Sequence, residues 1–312
     1  MTFQEFSRPF WVWSECPIIR DKLARGGHYS LDLCLSNRKS MEKHILPYFG
    51  PSLLSSITRK DVDRWILSLP QEHEISNSTA NKMLSILKQM LNVAVLEGYI
   101  HESPVEKIRP LVENPKTRSA FSRDEVVRLL SFKWESQGAY VASFIAAFTG
   151  MRLGEIRALR VKDVASDHIL VRHGWSDASG LKEMKSGKVR VMPITERMHS
   201  LLISLCKDRK RDEFIFSRDG ATPYGDRFFT EPLKQMIRKA EIESAGRVLS
   251  FHSFRHFFNT RTVAKGVSGE VLRAVIGHES EEMTDHYLHL SPEDLESIRH
   301  VQLEITKDIR RR

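Results

Sequence analysis

His252–Leu290 reads HSFRHFFNTRTVAKGVSGEVLRAVIGHESEEMTDHYLHL. It gathers five histidines, His252, His256, His278, His286 and His289, and sets arginine upstream of a single tyrosine, Tyr287. Such a stretch can bind a metal, pack as ordinary helix, or handle a phosphate. On a helix, His252 and Arg255 share a face at i, i+3. A guanidinium is a planar fork suited to two phosphate oxygens, and the histidine adds a third donor. His252 and His256 also stand at i, i+4, the spacing of a zinc pair. The usual catalytic zinc helix carries Glu directly after the first His, and here Ser253 stands there. Gly277-His278 marks a break, with Tyr287 nine residues on. A helical tyrosine is ordinarily a core residue, so its significance depends on its company.

That company includes FTGMRLGEIRALRVKDV, residues 148–164. Gly150 ends an apolar helix, Arg152 sits just past the break, and Glu155 follows three residues later. The pair is either a surface ion pair of little energetic weight or an arginine aimed into a site and held there by charge-assisted hydrogen bonds. Further on, β-branched runs at Ile169–Arg172 and Val189–Ile194 predict two extended arms, with a turn at Ser186-Gly187.

The chain of 312 residues is long enough for two domains. Its 48 Lys+Arg against 40 Asp+Glu leave a formal charge of +8, which suits a polyanionic partner. Residues 1–112 hold 14 basic and 12 acidic residues, so +2; the rest holds 34 and 28, so +6. Three cysteines, Cys16, Cys34 and Cys206, suggest a reducing compartment and no disulfide framework. The apolar run YVASFIAAF is too short to span a bilayer, and the N-terminus lacks the apolar core of a signal peptide. These features imply a soluble cytoplasmic protein with no membrane partner.

The first third reads as helical. Thr58 is placed as an N-cap with Asp61 three residues on. Ala80, Met83, Leu84, Leu87, Leu91, Ala94 and Val95 form one face of a helix that Gly98 ends. Asn81, Lys82 and Lys88 lie off that stripe, as a solvated face or as phosphate contacts. Pro104, Pro110 and Pro115 punctuate a charged linker, and Ser122 with Glu125 makes a capping box that opens the next helix. At the C-terminus, Ser291 and Pro292 start a helix whose apolar stripe is Leu295, Ile298, Val301, Ile305 and Ile309. It either packs on its own domain or docks on a neighbouring copy.

Together the blocks TGMRLGEIRALRVKDV, MKSGKVRVMPI, HSFRHFFNTRTVAKGV and VIGHESEEMTDHYLHLS resemble the tyrosine recombinases of the phage integrase family. The resemblance covers most of residues 120–291, and ITRKDVDRWI and TANKMLSILKQMLNVAVLEGYI resemble the family's core-binding domain. It implies a mainly α fold with a small antiparallel β-sheet in the catalytic domain, in a two-domain arrangement that clamps DNA. The expected divisions are 1–112 for a helical core-binding domain, 113–120 for the linker and 121–312 for the catalytic domain, with a tail at 292–312. An additional arm-binding domain is not expected.

The resemblance assigns Tyr287 as nucleophile, Arg152 and Arg255 as phosphate clamps, Lys185 as general acid, His252 and His278 as flanking site histidines, and Glu155 as the supporting acid. Lys182 and Lys188 stand close to Lys185. Lys82, Lys88 and Lys188 are expected to bind DNA, and His256, His286 and His289 to be structural or surface residues. The implied activity is site-specific cutting and rejoining of double-stranded DNA through a 3′-phosphotyrosyl intermediate, by a tetramer on paired sites, with room for accessory DNA-bending proteins. The alternatives are a type IB topoisomerase-like relaxing enzyme and a non-catalytic DNA-binding regulator.

The residue chemistry agrees. A phenol of pKa about 10 must lose its proton as it attacks, and guanidinium and imidazole donors answer the charge that develops on phosphorus oxygens. A phosphotyrosyl ester conserves the energy of the broken bond, so no nucleotide is required. The sequence has no G-x-x-x-x-G-K-[ST] loop, and neither cofactor nor metal is expected. Covalent protein–DNA adduct should therefore form in excess chelator and without ATP. Loss of adduct on adding EDTA, restored by zinc, would revive the histidine–metal reading.

Overall fold

Apolar residues at three- and four-residue steps make helices of most of this chain. A computed structural model describes residues 1–113, 119–183, 189–243, 246–277, 291–307 and 309. They fall into two units, Met1–Pro115 and Lys116–Arg312.

The first unit runs α1 (Phe3–Ser7), α2 (Pro17–Ala24), α3 (Leu31–Ser40), a π-helical turn at Met41–Ile45, α4 (Leu46–Phe49), α5 (Arg59–Glu72) and α6 (Asn77–Leu96). Thr58 caps α5: its Oγ1 accepts from the Asp61 N–H, and the Asp61 carboxylate accepts from the Thr58 N–H. The α6 stripe is buried as its spacing predicts, widened by Ile86 and Met90, while Val95 is only half-buried. It packs into a core that includes Phe3, Phe49 and Trp65. Asn81 is half-buried and hydrogen-bonded within its own unit. Its amide donates to Leu111 O at 2.9 Å and its Oδ1 accepts from Leu111 N at 2.8 Å, while Asn77 donates to Val112 O. The two asparagines tack the segment after Pro110 onto α6.

The second unit is built around α8 (Gln137–Thr149), which follows α7 (Arg123–Ser131) and precedes α9 (Leu153–Arg157). Ser122 and Glu125 form the capping box of α7. From Val141 to Thr149 every residue of α8 is buried. Four strands follow: β1 (His168–Val171), β2 (His173–Ser176), β3 (Gly180–Glu183) and β4 (Arg190–Pro193). Then come α10 (Glu196–Ser204), α11 (Asp226–Lys239), α12 (Phe251–Ala264), α13 (Gly269–Ile276) and α14 (Pro292–Thr306).

The two predicted extended arms pair as β1 and β4, antiparallel, with Ile169 opposite Met192 and Val171 opposite Arg190. Between them lies a second ribbon, β2–β3, that the sequence reading lacked. His173-Gly174-Trp175-Ser176 and Gly180-Leu181-Lys182-Glu183 contain no β-branched residue, and apart from Trp175 their composition does not favour a strand. Tertiary contacts supply the reason to pair: β2 packs on α9, and the Trp175 ring meets Phe214 edge-on at 5.6 Å. The predicted Ser186-Gly187 turn lies outside the described residues.

Phe254, Phe257 and Phe258 of α12 join the core around α8, and so do Ile298, Val301, Ile305 and Ile309. The C-terminal stripe thus packs on its own unit. Gln302 donates from Nε2 to Pro193 O at 2.8 Å, Arg197 donates to Ile309 O at 2.9 Å, and Ser291 and Asp294 cap the helix. A fully buried isoleucine in such a place typically contributes about 2–5 kcal/mol over alanine. Ile298→Ala should lower unfolding stability by that order in urea titration. An unchanged midpoint would show that α14 does not depend on this packing.

Candidate active site

The site begins where α8 stops. Gly150 takes φ +64°, and a Cβ there would lie 2.6 Å from Phe258 Cδ1. Only glycine both turns the chain left-handed and admits that ring. The turn places Arg152 at the N-cap of α9 and Glu155 one turn on. The Arg152 N–H donates to Glu155 Oε2 at 2.9 Å, and Arg152 Nη1 donates to Oε1 at 2.8 Å. From β4, Arg190 Nη2 donates to Oε2 at 2.5 Å. Glu155 is 4% exposed. Burial pushes its carboxyl up, but the charges of Arg190 and Arg152 and their hydrogen bonds outweigh burial and hold it below the usual carboxylate range.

Arg255 enters from α12 and is 2% exposed. Its Nη1 donates to Gly150 O at 2.7 Å and its Nη2 to Ile276 O at 2.8 Å. These carbonyls stand at the C-terminal ends of α8 and α13, where helix dipoles leave partial negative charge and free acceptors. Gly277 closes α13 at φ +67°, and its carbonyl accepts from Arg152 Nη2 at 3.2 Å. Burial, and then the neighbouring charge of Arg152, pulls the Arg255 guanidinium down to about 9, with Glu155 acting in the opposite sense. It still carries its charge at neutral pH. The arrangement sets three guanidinium groups around one carboxylate, so two positive charges are unbalanced among the described residues. Arg152, 43% exposed at its side chain, presents that excess outward. A polyvalent or developing anion is what such a cluster can hold.

His252 stands one turn before Arg255 on α12, half-buried, with its ring edge-to-face against His256 at 4.8 Å. Among the described residues, no three His, Cys, Asp or Glu side chains are grouped to hold a metal ion. Lys82 and Lys88 are exposed on α6 of the first unit. Lys185, Lys188, His278 and Tyr287, together with His286 and His289, lie outside the described residues.

Two residues here escaped the sequence reading. Arg190 sits in a strand whose period of two puts it on the face of buried Met192, a signal available in RVMP itself. Arg157 is 1% exposed; its guanidinium pairs with Asp177 in the β2–β3 turn and with Asp226 at the start of α11, and Nε donates to Tyr224 O at 2.8 Å. Arg157 thereby ties the inserted ribbon to the helical core. No spacing rule links positions 157, 177 and 226.

Residues 120–294 match the model of the phage integrase family, and residues 27–110 that of the phage integrase SAM-like domain. A tyrosine recombinase of Thermosipho africanus is 24% identical over 280 residues, covering 88% of this chain and 94% of that protein. Among solved structures, the Tn1549 transposon integrase in complex with circular intermediate DNA aligns over 95% of this chain and 98% of its own, at TM-score 0.67 and 19% identity. A lambda integrase tetramer bound to a Holliday junction aligns over 91% of this chain and 79% of its own, at TM-score 0.70 and 16% identity. These structures share the fold.

The glycine at the end of α8 is open to test without reference to DNA. Gly150→Ala must adopt a left-handed conformation that costs about 1–2 kcal/mol, in addition to displacing Phe258. Urea unfolding should register at least that loss; wild-type stability would contradict the geometry described.

Proposed function

The chain belongs to the phage integrase family, a tyrosine recombinase that cuts and rejoins DNA at specific sites, and from that premise we propose how its residues divide the work. The observation that carries the reading is the preformed cluster of Arg152 and Arg255, held by Glu155 and by carbonyls at two helix ends. The scissile phosphate lies against these two guanidiniums. His252 and His278 add donors to its oxygens. The Tyr287 phenol gives up its proton and attacks phosphorus, forming a 3′-phosphotyrosyl bond as the bond to the 5′ oxygen breaks. Lys185 donates the proton that the leaving 5′ oxygen takes up. Attack by the 5′ hydroxyl of another strand reverses these steps, so the phosphodiester is remade with no outside energy source.

The physical logic is preorganisation. Arg152 and Arg255 are fixed before DNA arrives, so their charge meets the extra negative charge of the transition state without reorganising. The Arg255 charge resides where burial and the neighbouring Arg152 disfavour it, and an arriving phosphate supplies compensating negative charge. Lys82, Lys88 and Lys188 contact the DNA backbone, which makes affinity depend on salt. The residues 1–112 form the core-binding domain and residues 121–312 the catalytic domain. The enzyme works in the cytoplasm as a tetramer on paired sites, a reading supported by the tetrameric assembly of the structurally similar lambda integrase. Accessory DNA-bending proteins are compatible with this scheme.

The DNA site is first recovered by mapping wild-type covalent adducts across a genome, and a nicked suicide duplex is built on it. Tyr287→Phe should bind that duplex and form no adduct. Arg152→Ala and Arg255→Ala should each slow adduct formation by at least about 10²–10³, with binding weakened far less. Wild-type adduct yield from Tyr287→Phe would assign the nucleophile elsewhere. Losses confined to binding would make the two arginines positioning contacts only.

A further inference from the structure

Arg190 has no part in the scheme above, yet it touches both groups that hold Arg152. Its Nη2 donates to Glu155 Oε2 at 2.5 Å, the same oxygen that accepts from the Arg152 N–H. Its Nη1 lies against Gly277, where a Cβ would come within 2.6 Å of it. Gly277 is the residue whose carbonyl accepts from Arg152 Nη2. The β1–β4 register, with Arg190 opposite buried Val171, directs the side chain to the inner face of the ribbon, where it is 10% exposed.

This placement is costly for the fold. Among the described residues, Nε and Nη1 of Arg190 are buried without an acceptor. A buried donor left unsatisfied typically costs about 1–3 kcal/mol, more when charged, and a buried ion pair is commonly no better for stability than an apolar pair of similar volume. A strand position facing a core would be served by Met or Leu if folding alone were at issue. What Arg190 supplies and they do not is a second cation for Glu155, on the carboxylate oxygen that Arg152 Nη1 does not use.

We propose that Arg190 is a positioning residue for strand cleavage, holding the Glu155 carboxylate so that Glu155 in turn fixes the Arg152 guanidinium at the scissile phosphate. The proposal rests on the reading of Arg152 as a phosphate clamp. The charged groups facing Glu155 are Arg152 on α9, Arg190 on β4 and, more weakly, Arg255 on α12. With Arg190 gone, Arg152, partly screened by solvent, and more weakly Arg255 are left among the described residues to stabilise the buried carboxylate. The sign follows: Glu155 protonates at higher pH than before, a neutral Glu155 no longer holds Arg152, and cleavage is lost as pH falls through the new value and recovers above it.

The test uses the full-length protein and the nicked suicide duplex, with adduct rates measured across the pH range in which each variant stays folded by circular dichroism. Arg190→Gln should be slowed at least about tenfold at neutral pH, with the acid limb of its profile moved up by about one pH unit or more. Arg190→Lys should return that limb toward wild type. In a Glu155→Gln background, adding Arg190→Gln should change the rate less than about twofold, because the two act as one unit. The proposal is overturned if Arg190→Gln matches wild type at every pH. It is overturned equally if the slowing is the same at all pH values and Arg190→Lys does not relieve it, the signature of a merely structural residue. Arg152→Ala serves as the control. Wild-type cleavage by Arg152→Ala sinks the clamp reading itself, whereas an inactive Arg152→Ala beside an unaffected Arg190→Gln sinks only the role of Arg190.

Discussion

A carboxylate buried to the extent of Glu155 cannot stand alone. Removing it from water costs several kcal/mol unless paired and hydrogen-bonded, and it is paired twice, with Arg152 and Arg190. Much of the second unit's local geometry answers that requirement. Arg152 must sit at the N-cap of α9 to reach both carboxylate oxygens, which needs a left-handed glycine to end α8. Arg190 must point inward from β4, which fixes the register of the ribbon. Arg255 then completes the cluster by spanning two helix C-termini, exchanging water for carbonyls that already carry partial negative charge.

The helix that ends at this cluster, α8, is buried without a break from Val141 to Thr149. A helix surrounded by α7, α10, α11, α12 and α14 holds its C-terminus still, and that terminus supplies the Gly150 carbonyl to Arg255. The C-terminal helix α14 contributes to this rigidity from its own chain. Ile298, Val301 and Ile305 lie in the core, and Gln302 caps the last carbonyl of β4, three residues beyond Arg190. The segment that follows Tyr287 in sequence is thus packed against the strand that carries Arg190. Arg157 performs the corresponding task for the inserted ribbon; its partners Asp177 and Asp226 are exposed, so their pairing gains from the burial of one member only. The hydrogen bond from Arg157 holds the Asp177 carboxyl below its ordinary range.

In the first unit the polar face of α6 carries two kinds of residue. Lys82 and Lys88 are exposed, while Asn77 and Asn81 fasten the segment that follows Pro110. An asparagine suits this job because it both donates and accepts, so one side chain reproduces the hydrogen bonds a neighbouring strand would offer.

What the sequence determined was whatever depends on local spacing. The capping boxes at Thr58 and Ser122, the apolar stripe of α6, the helix start at Ser291 and the breaks at Gly150 and Gly277 are each set by residues within one or two turns of one another, so they are legible in order. Arg152, Glu155 and Arg255, which the structure brings together, were legible from their charge and the glycine breaks beside them. Tertiary structure alone decided the rest. The β2–β3 ribbon pairs because α9 offers it a surface, not because its residues favour strands. The C-terminal stripe has the same pattern whether it covers its own core or another's, and only the packing of Ile298 and Gln302 against β4 and its neighbours settles which. Arg157 and Arg190 read as two basic residues among many. They become structural and site residues only when folding brings Asp177, Asp226 and Glu155 within hydrogen-bond reach across 20 to 69 positions of sequence. The period of two in RVMP places Arg190 on a buried face, but no local pattern names its partner, because long-range electrostatic pairing leaves no trace of which residues meet.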